Sequence, residues 1–308
     1  MLATYDAESR TLRPCKELPV SGWAHATAPD EAEQRALESR GVPPRFLRHA
    51  LDIDELARVD HAPRGGSLVV VRVPDPVHKK RRPLRAVPFG VVLVSDELCI
   101  TISPCETHVQ DRVLERDDLD AQRPLRLLQQ LLLAASAEFL REVRAIDEKV
   151  DRVEDRLQHS QENREVLELL GYQKSLVHLT TALASNQIML ERLTDDERIV
   201  FAKGDRELLH DVVVELRQAT EMTKVSEEIL GSMMDAFASI ISNNLNAVMK
   251  VLTSVTIVLT FPALVAAFYG MNVDLPLAQH PHAFKIVLAL SLVLSAVVAW
   301  FFHRRKWL

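Results

Sequence analysis

Residues 251–273 read VLTSVTIVLTFPALVAAFYGMNV, a run without a charged side chain. A helix rises about 1.5 Å per residue and the hydrocarbon core of a bilayer is roughly 30 Å thick, so about 20 apolar residues span it. A second uncharged run covers residues 286–302 and is followed by the basic tail HRRKWL. Two such neighbouring runs predict a pair of membrane-spanning helices rather than buried helices of a soluble core.

The basic residues beside these runs predict an orientation. Lys250 precedes the first run and residues 304–306 follow the second, whereas residues 274–283 contain no Lys or Arg. The positive-inside rule then places both chain ends in the cytoplasm and the loop outside the inner (plasma) membrane. Met1 is followed by polar sequence, so we expect no cleavable signal peptide.

Composition excludes several classes of function. The hydrophobic content of 47% is ordinary because a charged body offsets the apolar hairpin, and a net charge of −6 argues against a nucleic-acid partner. Three cysteines are too few for a disulfide framework or a Cys-rich zinc site, and they fit a reduced compartment. The histidines form no recognisable nucleophile or metal cluster, so we do not expect an enzyme.

The amino-terminal body has the patterns of a mixed α/β domain. Residues 68–73, 90–94 and 98–102 are short apolar runs typical of buried strands. Asp30 is followed by a helical pattern that ends at Gly41. The basic run HKKRR at residues 78–82 lies between strand patterns; we favour a solvated hairpin loop, with a contact to anionic lipid or phosphate as the alternative.

The remaining cytoplasmic sequence is helical. From Pro124 onward apolar residues recur at helical spacing, the pattern breaks at residues 158–161, and a second helix follows over residues 162–193. The fold class is therefore α+β with a membrane hairpin: a cytoplasmic α/β domain, a long helical stalk and two carboxy-terminal transmembrane helices. The predicted divisions are an α/β domain at 1–122, an antiparallel helical pair at 123–204, a stalk helix at 205–250, a pore-lining first transmembrane helix at 251–272, an outer loop at 273–283, a second transmembrane helix at 284–303 and a basic tail at 304–308.

The stalk carries an apolar heptad pattern, which is typical of packing against other long helices. We call it the seam, and it consists of Leu209, Val212, Leu216, Ala219, Thr223, Ser226, Leu230, Met233, Phe237 and Ile240.

A different face of the same helix stays small or polar from the stalk to the far end of the first span. We call this face the stripe, and it consists of Ser232, Asp235, Ser239, Ser242, Asn246, Met249, Thr253, Thr256, Thr260, Ala263, Ala267 and Gly270. In lipid, such a face indicates close helix packing or the lining of an aqueous path. Two spans cannot enclose a pore, so the second reading requires several copies, each giving one face to a central axis. We expect the seam to supply the means of assembly.

The segment around the first span resembles the CorA family of divalent-cation channels. The resemblance rests on Asn243, Asn246, the stretch MKVLT at residues 249–253, Pro262 and the stretch YGMN at residues 269–272, together with the terminal KWL. It is specific over residues 205–308, and over the body it is one of layout only.

The resemblance implies a homopentameric funnel in the lipid bilayer with the first span lining the pore. It implies that Gly270, Met271 and Asn272 form the outer selectivity filter, where oxygen atoms meet a hydrated Mg²⁺ that gives up its water reluctantly. It also implies a hydrophobic constriction at Met249 and Leu252. Periodicity instead favours Thr253 on the pore face, so this choice stays open.

Regulation is a further implication of the resemblance. Asp211 and Asp235 fall where the family places acidic residues whose bound Mg²⁺ holds neighbouring cytoplasmic domains together and keeps the channel closed. Ordinary solvated carboxylates are the alternative at both positions. Mg²⁺ would then be both the transported and the regulatory ion.

The outer loop departs from the family pattern. Relatives commonly follow Gly-Met-Asn with an acidic segment, whereas residues 273–282 contain Asp274 as the sole acid and add His280 and His282. Imidazole suits Zn²⁺, Co²⁺ or Ni²⁺ better than Mg²⁺, although histidines in an exposed loop are more often bystanders.

Three hypotheses follow. The first is a passive Mg²⁺ channel driven by the membrane potential, since we find no nucleotide-hydrolysis loop in the sequence. The second is a transporter of Zn²⁺ or another transition metal, with or without proton coupling. The third is a non-conducting membrane scaffold that senses ions.

Overall fold

The computed structural model describes residues 1–15, 17–63, 66–76, 83–159, 163–271, 276 and 280–307. They form two compact units, a first unit of Met1–Ser232 and a second unit of Met233–Leu308. The basic run at residues 78–82, Asn272 and Asp274 lie outside the described residues. The predicted fold class is confirmed: an α/β domain is followed by a long helix and two apolar helices at the carboxyl end.

The centre of the first unit is a sheet of seven strands in the order β2-β1-β3-β7-β6-β5-β4. The pair β3–β7 is parallel and the other neighbouring pairs are antiparallel. The strands are β1 (Leu2–Asp6), β2 (Thr11–Pro14), β3 (Gly22–Thr27), β4 (Arg58–His61), β5 (Ser67–Pro74), β6 (Ala86–Leu93) and β7 (Leu98–Ser103). The last three confirm the predicted strand runs, and the first four were not predicted.

Two short helices cover one face of this sheet. Helix α1 (Glu31–Ser39) begins with a capping box, in which Asp30 accepts from the N–H of Glu33 and the Glu33 carboxylate accepts from the N–H of Asp30. Helix α2 (Pro44–Leu51) lies so near β6 that a Cβ at Gly90 would stand 2.6 Å from the Cβ of Ala50. Glycine at position 90 therefore permits this packing.

Two long helices contact the sheet after the short helix α3 (Val109–Leu114). They are α4 (Pro124–His159) and α5 (Asn163–Thr194), and they fall in the stretch for which two long helices were predicted. Asn186 of α5 is buried; its Oδ1 accepts from the N–H of Arg72 at 2.8 Å and its Nδ2 donates to the carbonyl of Arg72 at 2.9 Å. This double hydrogen bond joins α5 to the backbone of β5.

A 3₁₀ turn at Lys203–Asp205 leads into α6 (Arg206–Tyr269). The seam residues Leu209, Val212, Leu216, Ala219, Thr223, Ser226 and Leu230 are buried in the first unit. Polar contacts to the chain's own long helices flank them: Ser226 bonds to Asp147 of α4, and Thr180 of α5 bonds to Glu227. These seven of the ten seam residues are thus used within the chain and are not free to hold copies together, whereas the last seam residue, Ile240, is 51% exposed.

The second unit contains the end of α6 and helix α7 (Ala283–Arg304), and both are long and apolar enough to cross a membrane. Pro262 lies inside α6 and has no N–H, so the usual bond to the carbonyl of Val258 cannot form.

Candidate functional site

The stripe on α6 is exposed along the whole second unit. The exposed side chains of the stripe include Asn246, Thr253, Thr256, Thr260, Ala263 and Ala267. Met249 and Leu252 are 50% and 58% exposed. The structure therefore presents both candidates for the constriction, Leu252 and Thr253, to the surroundings of the single chain and does not choose between them.

The two buried serines of the hairpin lie outside the stripe. Ser254 is fully buried and Ser291 of α7 is 5% exposed, and each serine donates to a carbonyl of its own helix, Lys250 and Leu288 respectively. Bonding the hydroxyls in this way satisfies them without water. Of the stripe, Thr256, Thr260, Ala263 and Ala267 are left exposed in the hairpin. Asn246, Met249 and Thr253 line a pocket together with Lys306 and Trp307 of the carboxy-terminal tail.

The hydroxyl groups of the stripe are oriented by the helix itself. Thr256 Oγ1 donates to the carbonyl of Leu252 at 2.8 Å, and Thr260 Oγ1 donates to the carbonyl of Thr256 at 2.7 Å. Because each hydroxyl hydrogen is used in this way, the oxygen lone pairs remain as acceptors on the exposed side. Such oxygens suit the outward-pointing hydrogens of a cation's hydration shell.

The predicted filter lies where α6 ends. The N–H of Gly270 still bonds to the carbonyl of Ala266 at 2.9 Å, and the N–H of Met271 bonds to the carbonyl of Phe268 at 3.2 Å. A Cβ at Gly270 would lie 3.3 Å from the carbonyl oxygen of Ala266, so a larger residue would crowd this turn. Met271 is 54% exposed.

The two loop histidines are neighbours. His280 and His282 have ring centroids 6.0 Å apart, and the Nδ1 of His280 accepts from the backbone N–H of His282 at 3.2 Å. Within the described part of the chain, no group of three or more His, Cys, Asp or Glu side chains could hold a metal ion. A transition-metal site at these histidines would accordingly need ligands from elsewhere.

The two predicted regulatory carboxylates, Asp211 and Asp235, are both exposed on α6. Asp211 belongs to the first unit and Asp235 to the second. Neither forms an ion pair with a described cation. Both are therefore open to a ligand from another molecule.

One buried charge cluster was not found from the sequence. Asp205, with a side chain 3% exposed, pairs with Arg123 at 2.8 Å and with Arg126 at 3.4 Å, and its carbonyl accepts from Gln129 Nε2 at 2.8 Å. The partners lie about 80 positions apart in sequence, and no local pattern marks them. This cluster fixes the start of α6 against the start of α4.

A sheet domain followed by long helices and two apolar helices defines a class of membrane proteins with two spans and a large extramembrane body. The model of the family described as "CorA-like Mg2+ transporter protein" matches residues 21–304. The chain belongs to this family. It is a family of transport proteins rather than of enzymes, which agrees with the prediction from sequence.

Two relatives and one solved structure are similar to the chain. The cobalt/magnesium transport protein CorA of Methanocaldococcus jannaschii is 32% identical over 184 residues, which is 59% of this chain and 58% of that protein's length. The protein of the same name from Thermotoga maritima is 23% identical over 99% of this chain and 88% of its own length. The complete structure of the M. jannaschii CorA magnesium transporter covers 100% of this chain and 98% of its own, with a TM-score of 0.83 and 23% identity, and it shows the shared fold.

Proposed function

We propose that the chain forms a homopentameric channel that admits divalent cations, Mg²⁺ first, across the plasma membrane. The observation that carries the proposal is the stripe of α6, a small or polar face that stays exposed in the hairpin with α7. Five copies would turn their stripes to one axis and enclose a path lined by Thr253, Thr256, Thr260, Ala263 and Ala267, which buries polar groups away from lipid.

Ion selection belongs to the outer end of this path. Backbone and side-chain oxygens of Gly270 and Asn272, with Met271 between them, would hydrogen-bond the first water shell of Mg²⁺ without removing it. The ion would next pass the oriented hydroxyls of Thr260 and Thr256. It would then pass the constriction, formed by Met249 together with either Leu252 or Thr253, and finally Asn246. Flow is passive, since a cation entering a negative interior gains about 2.3 kcal/mol per charge per 100 mV.

The orientation follows from charge. Lys250, Arg304, Arg305 and Lys306 lie at one end of the hairpin and Lys285 alone at the other, so both termini would be cytoplasmic. Asp211 would then bind regulatory Mg²⁺ at the border between subunits, since the structure leaves it exposed and without an ion pair to a described cation. Five copies of Asp235 would ring the inner mouth and concentrate cations there.

The second candidate is a transporter of Zn²⁺, Co²⁺ or Ni²⁺. The neighbouring rings of His280 and His282 favour it, because imidazole prefers these metals. The names of the two relatives, which include cobalt, support Co²⁺ beside Mg²⁺.

Metal uptake into proteoliposomes tests the proposal. Purified protein is compared with empty liposomes for Mg²⁺, Zn²⁺, Co²⁺ and Ni²⁺, with and without an inside-negative potential. We expect Mg²⁺ uptake that grows with the potential. Zn²⁺ uptake without Mg²⁺ uptake, or uptake that needs a proton gradient, would favour the second candidate; no flux from an intact oligomer would favour a non-conducting sensor.

A further inference from the structure

The second unit contains an open pocket of about 710 Å³ between α6 and the tail that follows α7. Lys250 is the last charged residue before the uncharged run of residues 251–273, so the pocket lies where the hairpin meets the surface of the bilayer. The residues that give the pocket its chemistry are Asn243, Asn246, Lys250, Thr253, Lys306 and Trp307.

The pocket is positively charged. Lys250 and Lys306 belong to its lining, which contains no acidic side chain. In the described part of the chain, neither ammonium group forms an ion pair. Asp235, the acidic residue of α6 nearest to Lys250, stands fifteen positions before it, which is about 22 Å along the helix. Two ammonium groups without a carboxylate partner at an open pocket favour an anionic ligand.

The tail that closes the pocket is held by the end of α7. Lys306 has a φ of 56°, and its N–H donates to the carbonyl of His303 at 3.1 Å. The N–H of Trp307 donates to the carbonyl of Phe302 at 3.0 Å, which completes a Schellman motif. The ring of Trp307 stacks on that of Phe302, with centroids 5.6 Å apart. The tail is therefore ordered before a ligand arrives, which lowers the cost of binding.

An apolar row leads from the pocket towards the middle of the first span. Val251 belongs to the pocket lining, and Val255 and Leu259 follow it on the same face of α6, one turn apart. These side chains are 46%, 40% and 66% exposed, and they lie outside the stripe. In a bilayer such a row contacts acyl chains. A molecule that joins an anionic group to acyl chains therefore matches the pocket and the row together.

We propose that this pocket binds the headgroup of an anionic phospholipid. Lys250 and Lys306 attract the phosphate as two point charges, and the amide of Asn243 supplies a hydrogen-bond donor. Trp307 lies at the level of the headgroups, where tryptophan is enriched in membrane proteins. Basic pockets between transmembrane helices on the cytoplasmic side suit such headgroups. The inference rests on the membrane hairpin and its proposed orientation, and it does not depend on ion conduction.

Native mass spectrometry of the full-length protein in a neutral detergent counts bound lipid and gives an apparent Kd. The probes are phosphatidylglycerol and phosphatidylcholine with identical acyl chains, with glycerol 3-phosphate as a soluble competitor. We expect phosphatidylglycerol to bind about 25-fold more tightly than phosphatidylcholine, about fivefold for each lysine. Lys250→Gln and Lys306→Gln should each reduce this preference about fivefold. Glycerol 3-phosphate at the same concentration should not displace the lipid, because it lacks the acyl chains.

Two control variants separate the pocket from diffuse charge. Lys285→Gln removes an exposed ammonium group at the other end of the hairpin, and Arg304→Gln removes an exposed charge at the same end that does not line the pocket. Both should keep the preference for phosphatidylglycerol. An equal loss in the controls and in the pocket variants would mean diffuse attraction and would overturn the site.

The site would also be overturned by equal affinities for the two lipids, by an unchanged preference in either pocket variant, or by displacement of the lipid by glycerol 3-phosphate. A change of oligomer mass in Lys250→Gln without a change in bound lipid would assign the pocket to a second copy of the chain instead. Both lysines are exposed, so glutamine at either position should leave the fold intact. Because lipid binding is measured without ion flux, its failure and the failure of the channel proposal are separate results.

Discussion

Ser226 Oγ of α6 donates a hydrogen bond of 3.1 Å to Oδ2 of Asp147 on α4. Burial raises the pKa of Asp147, the bond from Ser226 opposes the rise, and the carboxylate of Asp151 adds to it. This bond is a polar contact within the otherwise closely packed interface of the seam. It ties the orientation of α6 to the long helices of its own chain.

Replacing Ser226 by Ala should lower the free energy of unfolding of the first unit by about 1–2 kcal/mol, because Asp147 would lose a donor while staying partly buried. The loss should be largest at neutral pH, where Asp147 is ionised. Because the pKa of Asp147 is higher in the folded than in the unfolded chain, the contribution of this carboxyl group to stability falls as the pH rises through its folded-state pKa. Thermal unfolding followed by circular dichroism measures it. Ser232→Ala removes an exposed hydroxyl bonded only to its own helix and should change the midpoint little; equal effects of the two changes would contradict this account.

His25 should make the fold sensitive to acid. It is buried between hydroxyls, with Nδ1 2.8 Å from Thr101 Oγ1 and Nε2 2.9 Å from Thr27 Oγ1, and burial, helped by the charged amino terminus, lowers its pKa to about 4. The pKa of His25 is 6.5 in the unfolded chain and about 4 in the folded chain. Between these two pH values, His25 binds a proton in the unfolded chain but not in the folded chain. Stability is therefore complete above pH 6.5 and falls as the pH decreases, by at most about 1.4 kcal/mol per pH unit.

His25→Gln should be less stable at neutral pH and should lose less further stability on acidification. The measurement is the thermal midpoint from neutral pH to about pH 5. The exposed His210, changed to Gln, serves as control. A pH profile of His25→Gln parallel to that of the unchanged protein would show that another group causes the acid sensitivity.

Asp205 should be among the least replaceable carboxylates of the first unit. Asp205→Asn would leave Arg123 and Arg126 without their buried partner. Removing one partner of a buried ion pair lowers the free energy of unfolding by roughly 3–5 kcal/mol. We expect the lower value here, because Arg123 is half-exposed. Chemical denaturation reads the loss directly. The exposed Asp195, changed to Asn, should be nearly neutral, and a small effect at both positions would argue against the buried cluster.

Asn272→Ala should abolish cation uptake in proteoliposomes while leaving the oligomer size unchanged, because the proposed filter would lose its ring of side-chain oxygens. Asn244→Ala makes the same chemical change on α6 outside the stripe and should keep most of the flux. Normal uptake by Asn272→Ala would refute the filter assignment.

Asp211→Ala should weaken the protection from proteolysis that millimolar Mg²⁺ is expected to give. The physical reason is the loss of a carboxylate ligand at the proposed border between subunits. Glu207→Ala, one turn earlier on the same helix, is the control. If Mg²⁺ protects Asp211→Ala as well as it protects the unchanged protein, Asp211 is not the sensor.

The parts of the fold that were predicted have strong local patterns. β5, β6 and β7 are continuous buried runs, and α4 to α7 have long periodic or apolar segments. β2 and β4 escaped prediction because Thr11–Pro14 and Arg58–His61 are polar, partly exposed and held by pairing with distant strands. The ion pairs of Asp205 escaped for the same reason, since sequence periodicity identifies a face but not its partner.

The seam illustrates this limit most clearly. Its heptad spacing indicated contact with other long helices, which is correct, but the spacing alone could not tell helices of the same chain from those of another copy. The stripe was found from the sequence because it is polar where lipid demands apolar residues. In the hairpin the stripe is exposed, and so are Val255, Leu259 and Leu264 of the same helix. The side that faces other copies is therefore inferred from the polarity of the stripe and not from its exposure.

The amide of Asn186 has a consequence for aggregation. β4 reaches along β5 only to Val70, so beyond that point the backbone of β5 would be an open sheet edge. By bonding both the N–H and the carbonyl of Arg72, Asn186 acts as one residue of a missing strand and denies that edge to the strands of other molecules. An Asn186→Leu chain would keep its packing volume yet leave the N–H and the carbonyl of Arg72 unpaired, and its chief defect would be self-association during folding and storage.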